Sequence, residues 1–193
     1  MIRMQDAKPR DYTMGEWAAH RAGAGIRPHP YSTNQTTNPD VYTTLNKPGY
    51  WQVHAIGSVY AEFLYEVAEA LIEKHGWTQS LFPPAANTTE YDSFYATSTK
   101  TGRKYPKHGN TYAVQLLLDS FKLQPCRPNF LDNRDAILQA DQIYTGGENA
   151  CTIWKAYAKR GLGPDASVHG ATPWGGGRRE NDFSIPKKCI SKH

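Results

Sequence analysis

Histidine is the residue type to examine first, because an imidazole can bind a metal ion, act as a base or donate a hydrogen bond to a developing anion. The chain has seven histidines in 193 residues, and none forms a His-Glu-x-x-His zinc-binding unit. His54 differs from the others because it begins a long amphipathic segment and follows an irregular stretch that carries Arg27. Spacing alone more often gives a capping or packed histidine at such a place. The residues by themselves therefore predict a helical protein with one candidate cleft histidine.

Other signatures of catalysis are missing from the sequence. It contains no Gly-x-Ser-x-Gly turn of a serine hydrolase, no phosphate-binding loop and no Cys–His pair at a catalytic spacing. The segment Asp132-Asn-Arg-Asp135 resembles part of a calcium loop but lacks its glycine and its terminal glutamate. We interpret this segment as the capped first turn of a helix.

The elements that would position His54 are mainly helices. Apolar residues at three- and four-residue steps predict a helix of about twenty residues that begins near Val53 and stops at Gly76, with Glu62, Glu66 and further glutamates on the opposite face. Three more helices are predicted at about 111–123, 130–144 and 149–160. Residues 1–50 form an irregular segment and residues 77–108 a long polar connection, and no strand alternation is convincing. We therefore expect a mainly α fold of about four main helices with long ordered loops.

Composition excludes several classes of protein. Hydrophobic residues make up 39% of the chain, the mean hydropathy is −0.67, and no apolar run reaches the roughly 18 to 20 residues that cross a bilayer. A net charge of +4 spread along the chain is weak evidence for nucleic-acid binding, which concentrates basic residues on one face. Neither a membrane nor a nucleic acid is therefore an expected partner.

The cysteines and sequons bear on the compartment. Cys126, Cys151 and Cys189 are too few for a disulfide scaffold, so one disulfide with one free thiol would suit an exported protein and three thiols a cytosolic one. If the third and fourth helices pack antiparallel, Cys126 and Cys151 lie about 20 Å apart. Cys189 is then the expected partner of one of them. Asn34 and Asn87 begin glycosylation sequons in turn-rich stretches.

A longer-range resemblance comes from several stretches that follow one another along most of the chain. They include Gly25-Ile-Arg-Pro-His-Pro-Tyr-Ser-Thr33, Val53-His-Ala-Ile-Gly-Ser-Val-Tyr-Ala61 and Leu123-Gln-Pro-Cys-Arg-Pro-Asn-Phe130, with others at 11–17, 37–39, 134–141, 145–147 and 151–163. In this order they resemble the C-terminal part of the fungalysin family, secreted fungal zinc metalloendopeptidases related to thermolysin. The resemblance implies the C-terminal helical lobe of a two-lobed protease. It would comprise an irregular substrate-binding segment at 1–50 and a helical part at 51–193 of a single domain.

The same resemblance implies roles for three residues. His54 matches the histidine that donates a hydrogen bond to the tetrahedral oxyanion during peptide hydrolysis. Arg27 matches an arginine that binds the substrate carbonyl just beyond the scissile bond, and Ile26 would help to line the hydrophobic pocket there. In thermolysin-like relatives an acidic residue shortly before the histidine orients it, and residues 47–53 contain none.

The resemblance also implies what this chain lacks. In the family the zinc ligands and the general-base glutamate lie upstream of the matched region, so no metal ligand is expected here and Glu16, in a lookalike motif, is not one. The complete enzyme would need Zn²⁺ and the upstream N-terminal lobe, and this chain alone would be inactive. We therefore expect part of a secreted zinc endopeptidase that acts on peptides or proteins. The alternative is a stand-alone, non-catalytic remnant that acts as a binding protein.

Overall fold

The computed structural model describes residues 6–8, 10–170 and 177–190. Within these residues the chain is mainly helical, which confirms the predicted fold class. The helices are α1 (Glu16–Ala19), α2 (Val53–His75), α3 (Thr89–Phe94), α4 (Gly109–Leu123), α5 (Phe130–Thr145) and α6 (Ala150–Lys159). Two short antiparallel ribbons accompany them, β1 (Tyr95–Thr97) with β2 (Lys104–Pro106), and β3 (Ser167–His169) with β4 (Arg178–Glu180). Short 3₁₀ helices occupy Tyr42–Asn46 and Lys187–Cys189.

The long helices begin and end near the predicted residues because local signals mark their ends. α2 stops before Gly76, which has a φ of +74° that a side chain would oppose. α5 begins with a capping box: the Asn129 side chain accepts hydrogen bonds from the amides of Leu131 and Asp132, and Asp132 accepts from the Asn129 amide at 2.8 Å. The interpretation of residues 132–135 as a capped first turn is therefore confirmed.

The connection at 77–108 is more ordered than its polar composition predicts. It contains α3 and the β1–β2 hairpin, in which Tyr95 faces Pro106 and Thr97 faces Lys104. Strands of three residues are too short to display a period of two, so the sequence pattern could not reveal them. The absence of a convincing strand alternation in the sequence therefore left this hairpin and β3–β4 without a prediction.

The chain divides into two compact units. One comprises Val67–Ile153 with the described residues of the first eight, and we call it the helical unit. Its core includes Leu71 from α2, Tyr112 and Leu116 from α4, and Ile137 from α5, all at most 1% exposed. Phe121 of α4, although apolar, is 50% exposed.

A buried carboxylate organises the polar interior of the helical unit. Asp141, near the end of α5, is fully buried and accepts hydrogen bonds from the Tyr112 hydroxyl at 2.8 Å and the Thr145 hydroxyl at 2.8 Å. It also accepts from the Asn149 side chain at 2.9 Å and the Asn149 amide at 3.0 Å. These bonds satisfy both carboxylate oxygens, which is the condition for burying such a group at tolerable cost.

The second unit, which we call the loop unit, comprises the described residues of Pro9–Glu66 and Trp154–His193. It contains the candidate residues Ile26, Arg27 and His54, and its core includes Tyr42, Leu45, Phe63 and Tyr157. The boundary between a substrate-binding segment and a helical part at residue 50 stays a prediction. None of the helices in the described part of the chain combines the length and apolar character that crossing a bilayer requires.

Candidate active-site segment

His54 is the second residue of α2, and its side chain is exposed. Its neighbours Trp51 and Val53 are also exposed, by 57% and 77%. Among the described residues none hydrogen-bonds the His54 ring. The imidazole is therefore neither a buried packing residue nor a side-chain cap of α2, and both of its nitrogens are available to an external group.

Arg27 lies in a closed loop of the loop unit, residues 12–31, which we call the Arg27 loop. Tyr12 and Tyr31 form an antiparallel bridge at its base, with amide-to-carbonyl distances of 2.9 and 2.7 Å in the two directions. Nearer to Arg27, the Ile26 amide donates to the Met14 carbonyl at 2.8 Å. The loop is thus held by backbone hydrogen bonds just before and a few residues after Arg27, although its composition suggested only irregular chain.

The Arg27 guanidinium group lies beside the hydroxyl of Tyr31. Burial raises the pKa of Tyr31, and the positive charge and hydrogen bond of Arg27 partly oppose that rise. The Nε atom of Arg27 is buried, and no hydrogen-bond partner for it is found among the described residues. A buried N–H without an acceptor is costly.

Ile26 has 52% of its surface exposed and lies over Gly15. A methyl group added at Gly15 would come within 3.2 Å of the Ile26 Cδ1 atom. The absence of a side chain at Gly15 therefore lets Ile26 lie close to the loop backbone. The exposed part of Ile26 leaves an apolar surface next to Arg27 in sequence.

Glu62 and Glu66 of α2 are the main departure from the predicted pattern. Periodicity placed both on the polar face, yet they are 1% and 4% exposed. Glu62 contacts the Arg160 guanidinium at 2.7 Å, and Arg160 Nε donates to Glu66 at 2.7 Å. Lys159 completes the cluster at 3.0 Å from Glu66. The glutamates are buried because Arg160, directly after α6, is buried with them as a counter-charge, while Lys159 is 38% exposed.

This cluster also holds the segment that follows Arg27. Arg160 donates to the backbone carbonyls of Ser32 and Asn38, and to that of Asp40 at 3.3 Å. Glu62 accepts from the Ser32 amide at 3.3 Å and from the Asn38 side chain at 2.7 Å. No motif in the sequence indicated these contacts, because they join positions that are 24 to 128 residues apart.

Asp40, in the segment that follows Arg27, is a further buried carboxyl group. It is 4% exposed and accepts a hydrogen bond from the Tyr50 hydroxyl at 3.3 Å. Burial raises its pKa, while the charges of His29 and Arg160 act in the opposite direction. The segment between Arg27 and the start of α2 is thus built around buried polar groups.

The described residues contain no group of three or more His, Cys, Asp or Glu side chains that could hold a metal ion. They therefore do not fit a resident zinc ion, and we assign no metal ligand. Glu16, in α1, accepts a hydrogen bond from the Thr13 hydroxyl. The structure brings Ile26 and Arg27 together on one loop and places His54 on α2. No hydrogen bond or ion pair links His54 with Arg27 within the described part of the chain.

The cysteines differ in state. Cys151 and Cys189 are disulfide-bonded, and Cys126 is free and exposed. This agrees with the expectation that Cys189 is one of the bonded residues, and with one disulfide and one free thiol.

Comparison with known proteins decides the family. The model of the fungalysin metallopeptidases (M36) matches residues 1–166. The chain belongs to the fungalysin family. Relatives that resemble it include extracellular metalloproteinase 9 of Coccidioides posadasii, which is 44% identical over 188 residues, or 97% of this chain and 26% of the relative. Extracellular metalloproteinase 2 of Trichophyton rubrum is 42% identical over the same shares. Extracellular metalloproteinase MEP of Neosartorya fischeri is 48% identical over 165 residues, or 86% of this chain and 23% of the relative.

This fungalysin chain thus spans about a quarter of the length of the curated relatives it matches. All three relatives are named as extracellular metalloproteinases.

Proposed function

We propose that this chain is the C-terminal part of an extracellular zinc-dependent endopeptidase. The observation that carries the proposal is the family match over residues 1–166, combined with relatives of which the chain covers only about 26%. The remaining three quarters would include the upstream lobe that supplies the metal ligands and the general-base glutamate. The metal ion would supply an activated water, and the residues of this chain would act on the charge that its attack creates.

His54 is proposed to donate a hydrogen bond to the oxygen that becomes negative when the peptide carbonyl is attacked. Its exposure and its lack of a partner among the described residues support this role. A donor aimed at charge that exists only in the transition state is worth about 3 kcal/mol. Because the ground-state carbonyl gains little from it, the effect falls on kcat rather than on KM.

Arg27 is proposed to bind the substrate carbonyl just beyond the scissile bond, with Ile26 lining the apolar pocket for the adjacent side chain. The half-buried position of Arg27, which leaves part of the residue accessible, and the 52% exposure of Ile26 support these roles. A guanidinium group offers several N–H donors in a fixed plane, which suits a carbonyl oxygen that must be held in one orientation.

Export would also make Asn34 and Asn87 available for glycosylation. Both side chains are exposed, and Asn87 directly precedes the Thr88 cap of α3. We propose both as glycan acceptors. Mass spectrometry of the secreted protein before and after glycosidase treatment would test each site.

The test of the proposed function is the substitution His54→Ala in the complete protease. We expect kcat for a peptide substrate to fall about 100-fold while KM stays within about two-fold. His20→Ala is a suitable control, because His20 is an exposed histidine in the same unit that has no proposed role. A rise in KM with unchanged kcat would make His54 a binding residue and would contradict the proposal.

The coding sequence upstream of Met1 and the intact mass of the natural product distinguish the proposed protease from the alternative, a stand-alone binding protein. A precursor with His-Glu-x-x-His supports the protease. A natural product that lacks this motif and hydrolyses no peptide supports the binding protein.

A further inference from the structure

We propose that Glu62 is a positioning residue, which fixes the Arg27 loop on the same helix that carries His54. This inference rests on the function proposed above. It concerns how two side chains that touch the substrate are held in register by a third side chain that does not touch it.

The first step is the attachment of Glu62 to the chain that follows Arg27. Glu62 Oε2 accepts from the Asn38 side chain at 2.7 Å and from the Ser32 amide at 3.3 Å. The same Asn38 amide group donates to the Pro30 carbonyl at 2.8 Å. Glu62 therefore fixes two backbone positions that lie three and five residues after Arg27.

The second step is the short, stiff path from those positions back to Arg27. Pro28 and Pro30 lie on this path, and proline fixes its own φ near −65° and restricts the residue before it. Tyr31 is bridged to Tyr12 in both directions and places its hydroxyl beside Arg27. A displacement of Ser32 would therefore be transmitted to Arg27 rather than absorbed by the chain.

The third step links Glu62 to His54 through α2 itself. Glu62 follows His54 by eight residues in one uninterrupted helix, a distance of about 12 Å along the axis. A helix of this length holds that distance constant, so Glu62 relates the Arg27 loop to the imidazole without any contact between His54 and Arg27.

Glu66 shows why this role belongs to Glu62 among the two buried glutamates. Both face Arg160, but the hydrogen bonds of Glu66 go to Arg160 and Lys159, at 2.7 and 3.0 Å. Of the two glutamates, only Glu62 accepts hydrogen bonds from the segment that follows Arg27, namely from Ser32 and Asn38. Asp40 is the other charged group of this segment that acts on Glu62. Its charge raises the pKa of Glu62, whereas the charge of Arg160 lowers that pKa.

The test is Glu62→Gln in the complete protease, alone and combined with Arg27→Ala. Glutamine keeps the size of the side chain but brings an N–H₂ group toward the donors that Glu62 accepts from. We expect KM for a peptide substrate to rise about five- to ten-fold with kcat within about two-fold. In the Arg27→Ala background the same substitution should leave KM unchanged, because the residue that it positions is already gone.

A control separates positioning from general loss of stability. Asp141→Asn makes the same acid-to-amide change in another buried carboxyl group, one whose hydrogen bonds in the described part of the chain go to residues of the helical unit. It should lower the melting temperature and leave KM unchanged. An equal rise of KM in Asp141→Asn would show that KM reports general loosening, and would overturn the proposal.

The remaining outcomes are also decisive. If Arg27→Ala raises KM and the effect of Glu62→Gln multiplies with it, the positioning role is refuted while the proposed function stands. If Arg27→Ala leaves KM unchanged, the proposed role of Arg27 fails and this inference fails with it. Should Glu62→Gln not fold, Asn38→Ser serves instead, because it removes the donor shared between Glu62 and Pro30.

Discussion

Arg160 Nη2 and Glu62 Oε1 lie 2.7 Å apart in the interior of the loop unit, and their side chains are 0% and 1% exposed. The two residues come from the end of α6 and the middle of α2, and they meet on the segment that follows Arg27. Arg160 also donates hydrogen bonds to three backbone carbonyls of that segment. The residues that contact each other in the interior therefore also hold the backbone of the segment in place.

Removal of Arg160 should unfold the protein at a lower denaturant concentration. Arg160→Met removes the buried counter-charge of Glu66 and the hydrogen-bonding partner of Glu62, and a broken buried pair costs about 3–5 kcal/mol. Urea unfolding followed by circular dichroism measures the change. Lys122→Met is the control, because the Lys122–Asp119 pair is 2.8 Å long but its lysine is 77% exposed, and such pairs contribute below about 1 kcal/mol. Equal losses for the two variants would contradict the prediction.

The stability of the protein should carry a pH dependence that Glu62→Gln removes. Burial, only partly offset by Arg160, raises the pKa of Glu62 from 4.5 to about 8. The folded protein therefore binds this proton more tightly than the unfolded chain. The contribution of Glu62 to the free energy of unfolding is full below about pH 4.5 and is lost as the pH rises through about 8.

Chemical unfolding at several pH values between about 5 and 9 measures this dependence. The difference in free energy of unfolding, wild type minus Glu62→Gln, should decrease steadily with pH. An increase would show that attraction to Arg160 outweighs burial.

The Arg27 loop should tolerate a methyl group at Gly23 better than at Gly25. Both residues have positive φ, +75° and +67°, so alanine strains each backbone by about 1–2 kcal/mol. A Cβ atom at Gly25 would also come within 2.3 Å of the Met14 carbonyl oxygen, whereas nothing lies within 4 Å at Gly23. Melting temperatures should therefore fall further for Gly25→Ala than for Gly23→Ala. Similar values for both would mean that the Met14 carbonyl can move away.

Two helical glycines should respond to alanine in opposite directions. Gly57 lies inside α2, where an added Cβ meets nothing within 4 Å, so Gly57→Ala should stabilise the protein by about 0.5–1 kcal/mol. Gly109 begins α4, and a Cβ there would lie 2.2 Å from the Leu71 carbonyl oxygen. Gly109→Ala should therefore destabilise it, as differential scanning calorimetry would show. Stabilisation by both would indicate that α4 can shift from α2.

The sequence predicted the long helices well because their signals are local. The three- and four-residue steps of α2 and the residues around Asn129 and Gly76 act within one or two turns, so their effect can be read without knowing the fold. The strands of three residues in β1 and β2 offered no comparable signal. These strands are stabilised by pairing with each other across the hairpin, and such pairing leaves no periodic pattern in a three-residue sequence.

The candidate site was predicted less completely. Spacing identified His54 as one candidate. Only the family resemblance identified Arg27 and Ile26 as further candidate site residues. Glu62 was assigned to a solvated face because glutamate on an amphipathic helix usually lies there. Its burial depends on Arg160, which is 94 residues after the neighbouring Glu66 in the chain, and no periodicity in α2 reports a partner at that distance.

The buried charges also constrain how this protein can change over evolutionary time. Exchanging a whole buried pair for apolar residues can be nearly neutral, whereas losing one member alone is severe. Descendants that alter position 160 must therefore alter positions 62 and 66 in the same lineage, or pass through a poorly folded ancestor. Variation at these three sites should accordingly be rare and concerted.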